Sequence, residues 1–135
     1  NLKSISDIKF DERFFIDSVD TDFCLRLIKA GKAIVVNTTL ELDHLLGDNT
    51  VSILGRPYTR RNPIRDYYIT RNLIYISIYG NYGYLNSLLR VFFIKSALRH
   101  MCASIITSNT KLEHLSYQFR SVLHGLANKM GRITL

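Results

Sequence analysis

The sequence is poor in the residues that stabilise small secreted domains, and it has no long hydrophobic run. Its 135 residues include no tryptophan and only two cysteines, Cys24 and Cys102. Two cysteines inside predicted helices supply neither a disulfide framework nor paired metal ligands, so we expect a reducing compartment and two buried thiols. Residues 72–89 lack formal charge but contain two glycines and three asparagines, which does not predict a membrane span. The chain starts without a methionine or a signal-peptide pattern, so we expect a fragment of a longer protein.

Acidic residues are scarce beyond the first third of the chain. Residues 1–49 carry nine Asp or Glu and six Lys or Arg, a net charge of −3, whereas residues 50–135 carry two and twelve, a net charge of +10. A basic region of this kind can face nucleic acid, anionic lipid, or the phosphates of a sugar donor or lipid carrier. Composition leaves these partners open. An apolar fraction of 47% excludes a disordered chain and fits one domain.

Local signals predict an α+β fold in which helix dominates. Asp17 or Ser18 is a good N-cap for a first helix that continues to Ala30 and stops at Gly31. β-branched and alternating patterns then predict two short strands, and Gly, Pro and Asn without a steady period predict a long loop. These segments are residues 32–37 and 40–45 for the strands and residues 47–63 for the loop.

The rest of the chain has helical periodicity. A helix from Ile64 places four polar or aromatic side chains on one face, and the GNYG sequence of residues 80–83 ends it. Two further helices are predicted over residues 85–107 and 112–126. The apolar run of residues 91–94 favours either attachment to a membrane surface or packing in a core or oligomer.

Three clusters of residues can carry chemistry. Asp20 and Asp22 lie at the first helix start, where a carboxylate can act as a general base or simply favour the helix dipole. His44, at the end of a predicted strand, can bind a divalent metal or make a structural hydrogen bond. In the third cluster, arginines can bind diphosphate, and tyrosines can stack on a sugar or pack in a core. The third cluster contains Arg65, Tyr67, Tyr68, Arg71 and Asn72.

Four runs of sequence resemble the C-terminal half of family-2 glycosyltransferases, specifically the rhamnosyltransferase-like branch. They are VDTDFCLR at residues 19–26, LDHLLGD at 42–48, RDYYITRN at 65–72 and HGLANKMG at 124–131. The usual family motif has an acid where Val19 stands. The resemblance implies that the chain is part of an inverting enzyme of the GT-A fold. Such an enzyme moves a sugar, rhamnose by similarity, from a nucleotide-sugar to a polysaccharide or lipid-linked acceptor.

The same resemblance implies roles for individual residues. Asp20 matches the general base that removes the acceptor proton, and His44 matches a ligand that completes a divalent-metal site. That site, for Mn or Mg, needs an upstream D-x-D that this chain lacks at the corresponding place. Asp22 and the third cluster are expected to contact substrate. Residues 1–63 then correspond to the end of the catalytic domain and residues 64–135 to a helical extension.

The resemblance also implies partners and a location. The isolated chain is expected to be inactive and to self-associate through its apolar helices, at the cytoplasmic side of a bacterial inner membrane with peripheral membrane contact. The alternative is a basic helical module that binds anionic lipid or nucleic acid without catalysis. Nucleic acid is the weaker of these two ligands, because the basic residues are dispersed without a clear recognition helix.

Overall fold

The computed structural model describes residues 5–41, 50–53, 55–83 and 86–133. Helix dominates, as the sequence predicts, and a two-stranded antiparallel hairpin is the sheet of the described part. The elements in chain order are α1 (Val19–Lys29), β1 (Thr50–Ile53), β2 (Arg56–Thr59), α2 (Pro63–Tyr79), α3 (Asn86–Thr107) and α4 (Lys111–Leu126).

Helix α2 is the centre of the fold and packs against both α3 and α4. Asn62 caps it by accepting a 2.7 Å hydrogen bond from the Arg65 backbone N–H, and Pro63 occupies its first turn, where no donor is lost. Its side chains contribute to an aromatic-rich core that reaches the start of the chain. The buried core cluster consists of Phe14, Tyr75, Ile76, Tyr82 and Phe93.

Two glycines let the chain pass closely around α2. A Cβ at Gly80 would overlap the Ile76 carbonyl oxygen and the Tyr82 ring, so only glycine allows Tyr82 to fold back onto the end of α2. A Cβ at Gly125 would lie 2.9 Å from Ile74 Cγ2, because α4 crosses α2 there at short range. Both glycines therefore serve packing against α2.

The predicted strand over residues 32–37 is wrong. These residues form neither strand nor helix, and Val35 and Val36 are 86% and 79% exposed. A β-branched run becomes a strand only when a neighbour pairs with its backbone, and within the described ranges only β1 and β2 pair. Of the second predicted strand, residues 40 and 41 are not in a strand, and residues 42–45 lie outside the described residues.

The predicted loop over residues 47–63 is also incorrect, since it contains the hairpin. Thr50 pairs with Thr59 and Ile53 with Arg56, and Gly55 lies between the strands at φ 77°. A positive φ at a tight turn is a conformation that glycine adopts at little cost. The hairpin leads directly into α2.

Two smaller expectations concern the burial of the cysteines and the absence of a membrane-spanning helix. Cys24 is partly buried, but Cys102 is exposed on α3, contrary to the expectation that both thiols are buried. In the part of the chain that the structure describes, no helix combines the length and apolarity needed to cross a bilayer.

Candidate functional site

Asp20 lies exposed in the first turn of α1. The residue at the N-cap, Ser18, has a left-handed backbone (φ 61°), and its side chain makes no capping hydrogen bond. The positive end of the helix dipole therefore acts on the nearby carboxylates without competition from a side-chain cap. Asp20 is thus accessible from solvent at the N-terminal end of α1.

The segment that leads into α1 has an unusual backbone. The described residues include four non-glycine residues with positive φ, and three of them are Phe15 (66°), Asp17 (60°) and Ser18 (61°). Such conformations cost free energy, and they persist where surrounding contacts hold them, often at functional sites. The strain lies directly before Asp20.

Arg71, from α2, reaches this segment through the core. It is 1% exposed, and its Nη2 donates to the Phe14 carbonyl at 3.0 Å while its Nη1 donates to the Gly131 carbonyl at 2.6 Å. Its Nε and Nη2 also donate to Asn72 Oδ1, at 3.0 and 2.8 Å. The guanidinium thus joins the segment before α1 to the segment after α4.

Asn72 completes the attachment. Its Nδ2 donates to the carbonyls of Phe14, Ile16 and Asp17 at 3.2, 2.8 and 2.9 Å, and its side chain is fully buried. We call Arg71, Asn72 and the carbonyls that they bind the anchor network. Arg71 and Asn72 were expected to contact substrate. In the structure they fix the backbone before Asp20, so their effect on a substrate would act through that backbone.

Arg65 contacts the same segment from the surface. Its Nε and Nη2 lie 3.2 and 3.3 Å from the two carboxylate oxygens of Asp17, and its side chain is half exposed. The geometry is bidentate, which adds orientation to a modest surface ion pair. Arg65 therefore lies at the surface near the start of α1, where it remains open to an anionic ligand.

Asp22 faces inward, unlike Asp20. It is 5% exposed, its Oδ2 accepts from Arg26 Nε at 2.7 Å, and its Oδ1 accepts from the Tyr82 hydroxyl at 2.9 Å. Burial, and then the charge of Asp22, raise the pKa of Tyr82, so its hydroxyl stays protonated and donates. Asp22 was expected to contact substrate, but both of its carboxylate oxygens are engaged in supporting α1.

The two tyrosines of the third cluster are buried. The Tyr67 hydroxyl lies 2.7 Å from His124 Nδ1, and the Tyr68 hydroxyl accepts from the Ile133 backbone N–H at 2.8 Å. Burial, together with positive charge from Lys129 and Arg71, lowers the pKa of His124. The tyrosine rings therefore pack around Arg71 rather than line an open surface.

His44 and the run at residues 42–48 lie outside the described residues. Within the described ranges, no group of three or more His, Cys, Asp or Glu side chains is placed to hold a metal ion. The Mn or Mg site was expected only together with an upstream donor-binding half, so it stays a prediction.

Sequence reasoning missed two contributors to this site. Tyr82 was interpreted only as part of a helix break, although it holds Asp22, and Asp17 was considered only as a helix cap, although it pairs with Arg65. The two contacts join residues 60 and 48 positions apart, so local patterns carry no signal for them. The opposite net charges of residues 1–49 and 50–135 were the available indication that the two parts are in contact.

Most of this chain is similar in sequence to a known protein. The chain is 31% identical over 121 residues to the dTDP-rhamnosyl transferase RfbF of Shigella flexneri. The match takes in 90% of the chain, which spans only 40% of that relative's length. No family model and no solved structure matches the chain significantly. The chain is therefore similar, over most of its own length, to part of a rhamnosyl transferase.

Proposed function

We propose that the chain is the acceptor-activating, C-terminal part of an inverting family-2 glycosyltransferase of the GT-A fold. This enzyme would transfer rhamnose from a nucleotide-sugar to a polysaccharide or lipid-linked acceptor. The similarity to a dTDP-rhamnosyl transferase supports the reaction class. The placement of Asp20, exposed at the start of α1 behind an anchored and strained segment, is the observation that carries the proposal.

The chemistry requires one proton transfer on the acceptor side. An acceptor hydroxyl attacks the anomeric carbon, its oxygen forms the new glycosidic bond, and the bond to the nucleotide diphosphate breaks. Asp20 would take the hydroxyl proton as that attack proceeds. Arg65 would meet negative charge on the substrate, and the anchor network would hold the Asp20 carboxylate in place.

The chain alone supplies the base and part of the acceptor wall, so we propose that it does not transfer sugar by itself. A divalent-metal site that includes His44 also stays a prediction. Its test is whether His44→Ala changes the metal requirement of the longer enzyme that carries a donor-binding half.

Asp20→Asn in that longer enzyme tests the proposal. The amide keeps the shape and removes the basic oxygen, so the rate of rhamnosyl transfer should fall by about 10²–10⁴-fold while the fold is preserved. The readout is initial rate with a nucleotide-rhamnose donor, with circular dichroism as a check on folding.

Asp7→Asn is the matched control, because Asp7 is also exposed and, among the described residues, bonds only to its neighbour Ser6. It should transfer at the parent rate. If Asp20→Asn retains parental activity, the base is another group.

We also propose that the chain self-associates through α4. Five large apolar side chains lie exposed along one face of this helix at heptad-like spacing, a pattern typical of helix–helix contact between copies. They are Leu112, Leu115, Phe119, Leu123 and Leu126. The face carries no charge that would favour an anionic lipid, so a second copy is the partner that it suits. The exposed Phe92 and Leu98 of α3, beside Lys95 and Arg99, are the better surface for peripheral membrane contact.

Light scattering should give a mass above the 15.6 kDa of one chain. Phe119→Asp should lower it toward one chain, and Phe92→Asp, on α3, should not. A monomer at high concentration would refute association through α4.

A further inference from the structure

A cavity of about 210 Å³ lies between the segment that joins the hairpin to α2, the start of α2, and the end of α3 with its connection to α4. Its rim carries the arginines Arg60 and Arg61 and the amide of Asn109, and hydroxyl groups from Ser104, Thr107, Ser108 and Thr110 line it. Asp66 and His114 contribute from α2 and α4. The proposed catalytic residues do not line this cavity.

Asp66 is the most unusual residue of the cavity, since it is a carboxylate only 1% exposed. Its Oδ1 lies 3.1 Å from His100 Nε2, and its Oδ2 lies 3.4 Å from His114 Nε2. Oδ1 makes no hydrogen bond among the described residues, although His100 Nε2 lies within ion-pair distance of it. A buried carboxylate oxygen in this state is a strong acceptor for a hydroxyl donor.

Three other buried polar atoms of the described residues lack a hydrogen bond, and they belong to residues around Asp66 that do not line the cavity. Within the described ranges they are the Tyr58 hydroxyl, Thr70 Oγ1 and His100 Nε2. The Tyr58 ring lies 5.8 Å from that of His100, and Thr70 is one helical turn beyond Asp66. We call Tyr58, Asp66, Thr70, His100 and His114 the cavity network. Folded proteins normally satisfy such groups. Of these four described atoms, Asp66 Oδ1 alone belongs to a residue that lines the cavity, so Asp66 is the residue that points to a binding site there.

The lining selects among classes of ligand. Free phosphate would suit Arg60 and Arg61 but would approach the Asp66 carboxylate, and a metal ion would meet two arginines at the rim. A hydroxyl-rich ring uses all of the lining, because its hydroxyls donate to Asp66 and accept from the arginines and Asn109. The volume is below the roughly 300–1,000 Å³ of sites for drug-sized ligands, which fits one ring.

We propose that this cavity binds one monosaccharide unit of a saccharide, at a site separate from Asp20. Asp66 and Asn109 bind its hydroxyls, and Arg60 and Arg61 cover it at the rim. The choice of L-rhamnose as first probe rests on the proposed function, but the existence of the site does not.

Titration of the ¹⁵N-labelled chain with L-rhamnose and then with D-glucose, each in the millimolar range, tests the proposal by NMR. We expect saturable shifts confined to amides of residues 60–66 and 104–114. Asn109→Ala should weaken binding about two- to tenfold, the effect of one hydrogen bond, and Asn81→Ala, exposed and outside the cavity, should not. Asp66→Asn should weaken it about tenfold or more. If Asp66→Asn does not fold, the proposal is still tested by Asn109→Ala and Arg60→Ala, which change residues at the exposed rim.

Each other result overturns the proposal. Shifts of these amides by inorganic phosphate but by neither sugar would identify an anion site, and no shift with any probe would leave a hydrated structural cavity. Sugar-dependent shifts at residues 17–22 instead would place the sugar at the start of α1. Asp20→Asn separates the two proposals, because it should retain sugar binding here even where it abolishes transfer.

Discussion

The anchor network and the cavity network lie on different faces of α2 and differ in how completely their polar groups are bonded. In the anchor network, the guanidinium of Arg71 and the amide of Asn72 both bond to backbone carbonyls and to each other. In the cavity network, Asp66 and Thr70 retain buried oxygens without a hydrogen bond in the described part of the chain. A satisfied buried network stabilises structure, whereas an unsatisfied one has bonding capacity left for a ligand.

The largest effect should come from breaking the anchor network. Asn72→Leu leaves the carbonyls of Ile16 and Asp17 without their donor and removes an acceptor of Arg71, so the free energy of unfolding should fall by about 2–4 kcal/mol. Urea denaturation followed by circular dichroism measures it.

Asn37→Leu is the control, because Asn37 is exposed and its side chain bonds only to Thr39 in the part of the chain that the structure describes. Its effect should stay within about 0.5 kcal/mol. Equal losses from the two substitutions would show that Asn72 does not stabilise the fold through its buried bonds.

A smaller effect should follow pH, through His124 beside the anchor network. Its pKa in the folded chain is lowered by burial and by nearby Lys129 and Arg71, so the unfolded chain binds its proton more readily. Stability should therefore fall as pH decreases through the ordinary histidine pKa of about 6.5 toward the lower folded value.

The comparison of the parent with His124→Gln isolates the contribution of this one imidazole. The variant should lose less stability than the parent over this pH range, as measured by thermal unfolding at a series of pH values. Parallel profiles would contradict the assignment.

The smallest effect, and one of opposite sign, should come from the cavity network. Thr70 is 1% exposed and its hydroxyl is unbonded in the described part, so Thr70→Val should be neutral or stabilising by up to about 1 kcal/mol. Thr107→Val provides the contrast, because the Thr107 hydroxyl donates to the Ala103 carbonyl at 2.8 Å and its loss should destabilise. Destabilisation by Thr70→Val to the same extent would mean that its hydroxyl is bonded in solution.

The sequence predicts helices well because their start and stop signals are local. Gly31 follows α1, Gly80 follows α2, and α3 and α4 lie within one residue of their predicted bounds. The hairpin was missed because Pro57 and Gly55 indicate a loop when pairing is unknown. A strand forms only with a partner strand. Residues 32–37 show the opposite error, because their β-branched run predicts a strand but no described strand pairs with them.

The residues of the candidate site likewise divide into those that a local sequence pattern predicts and those that it does not. Asp20 at a helix start follows from a local motif, and Asp22 pairing with Arg26 follows from helical spacing. The cavity network does not, because Asp66, His100 and His114 come from three helices and meet only when those helices pack. A local pattern also cannot predict that Arg71 is buried, because its acceptors include the carbonyls of Phe14 and Gly131, which are distant in sequence.

The bonds between Asn72 and the segment before α1 also bear on the order of folding. They join residues 55–58 positions apart, so they can form only after a large loop has closed onto an existing α2. Contacts made after the rate-limiting step alter unfolding rates and leave folding rates nearly constant. We therefore expect the segment that carries Asp20 to reach its native conformation late, and Asn72→Leu to shorten the lifetime of the folded chain without slowing its formation.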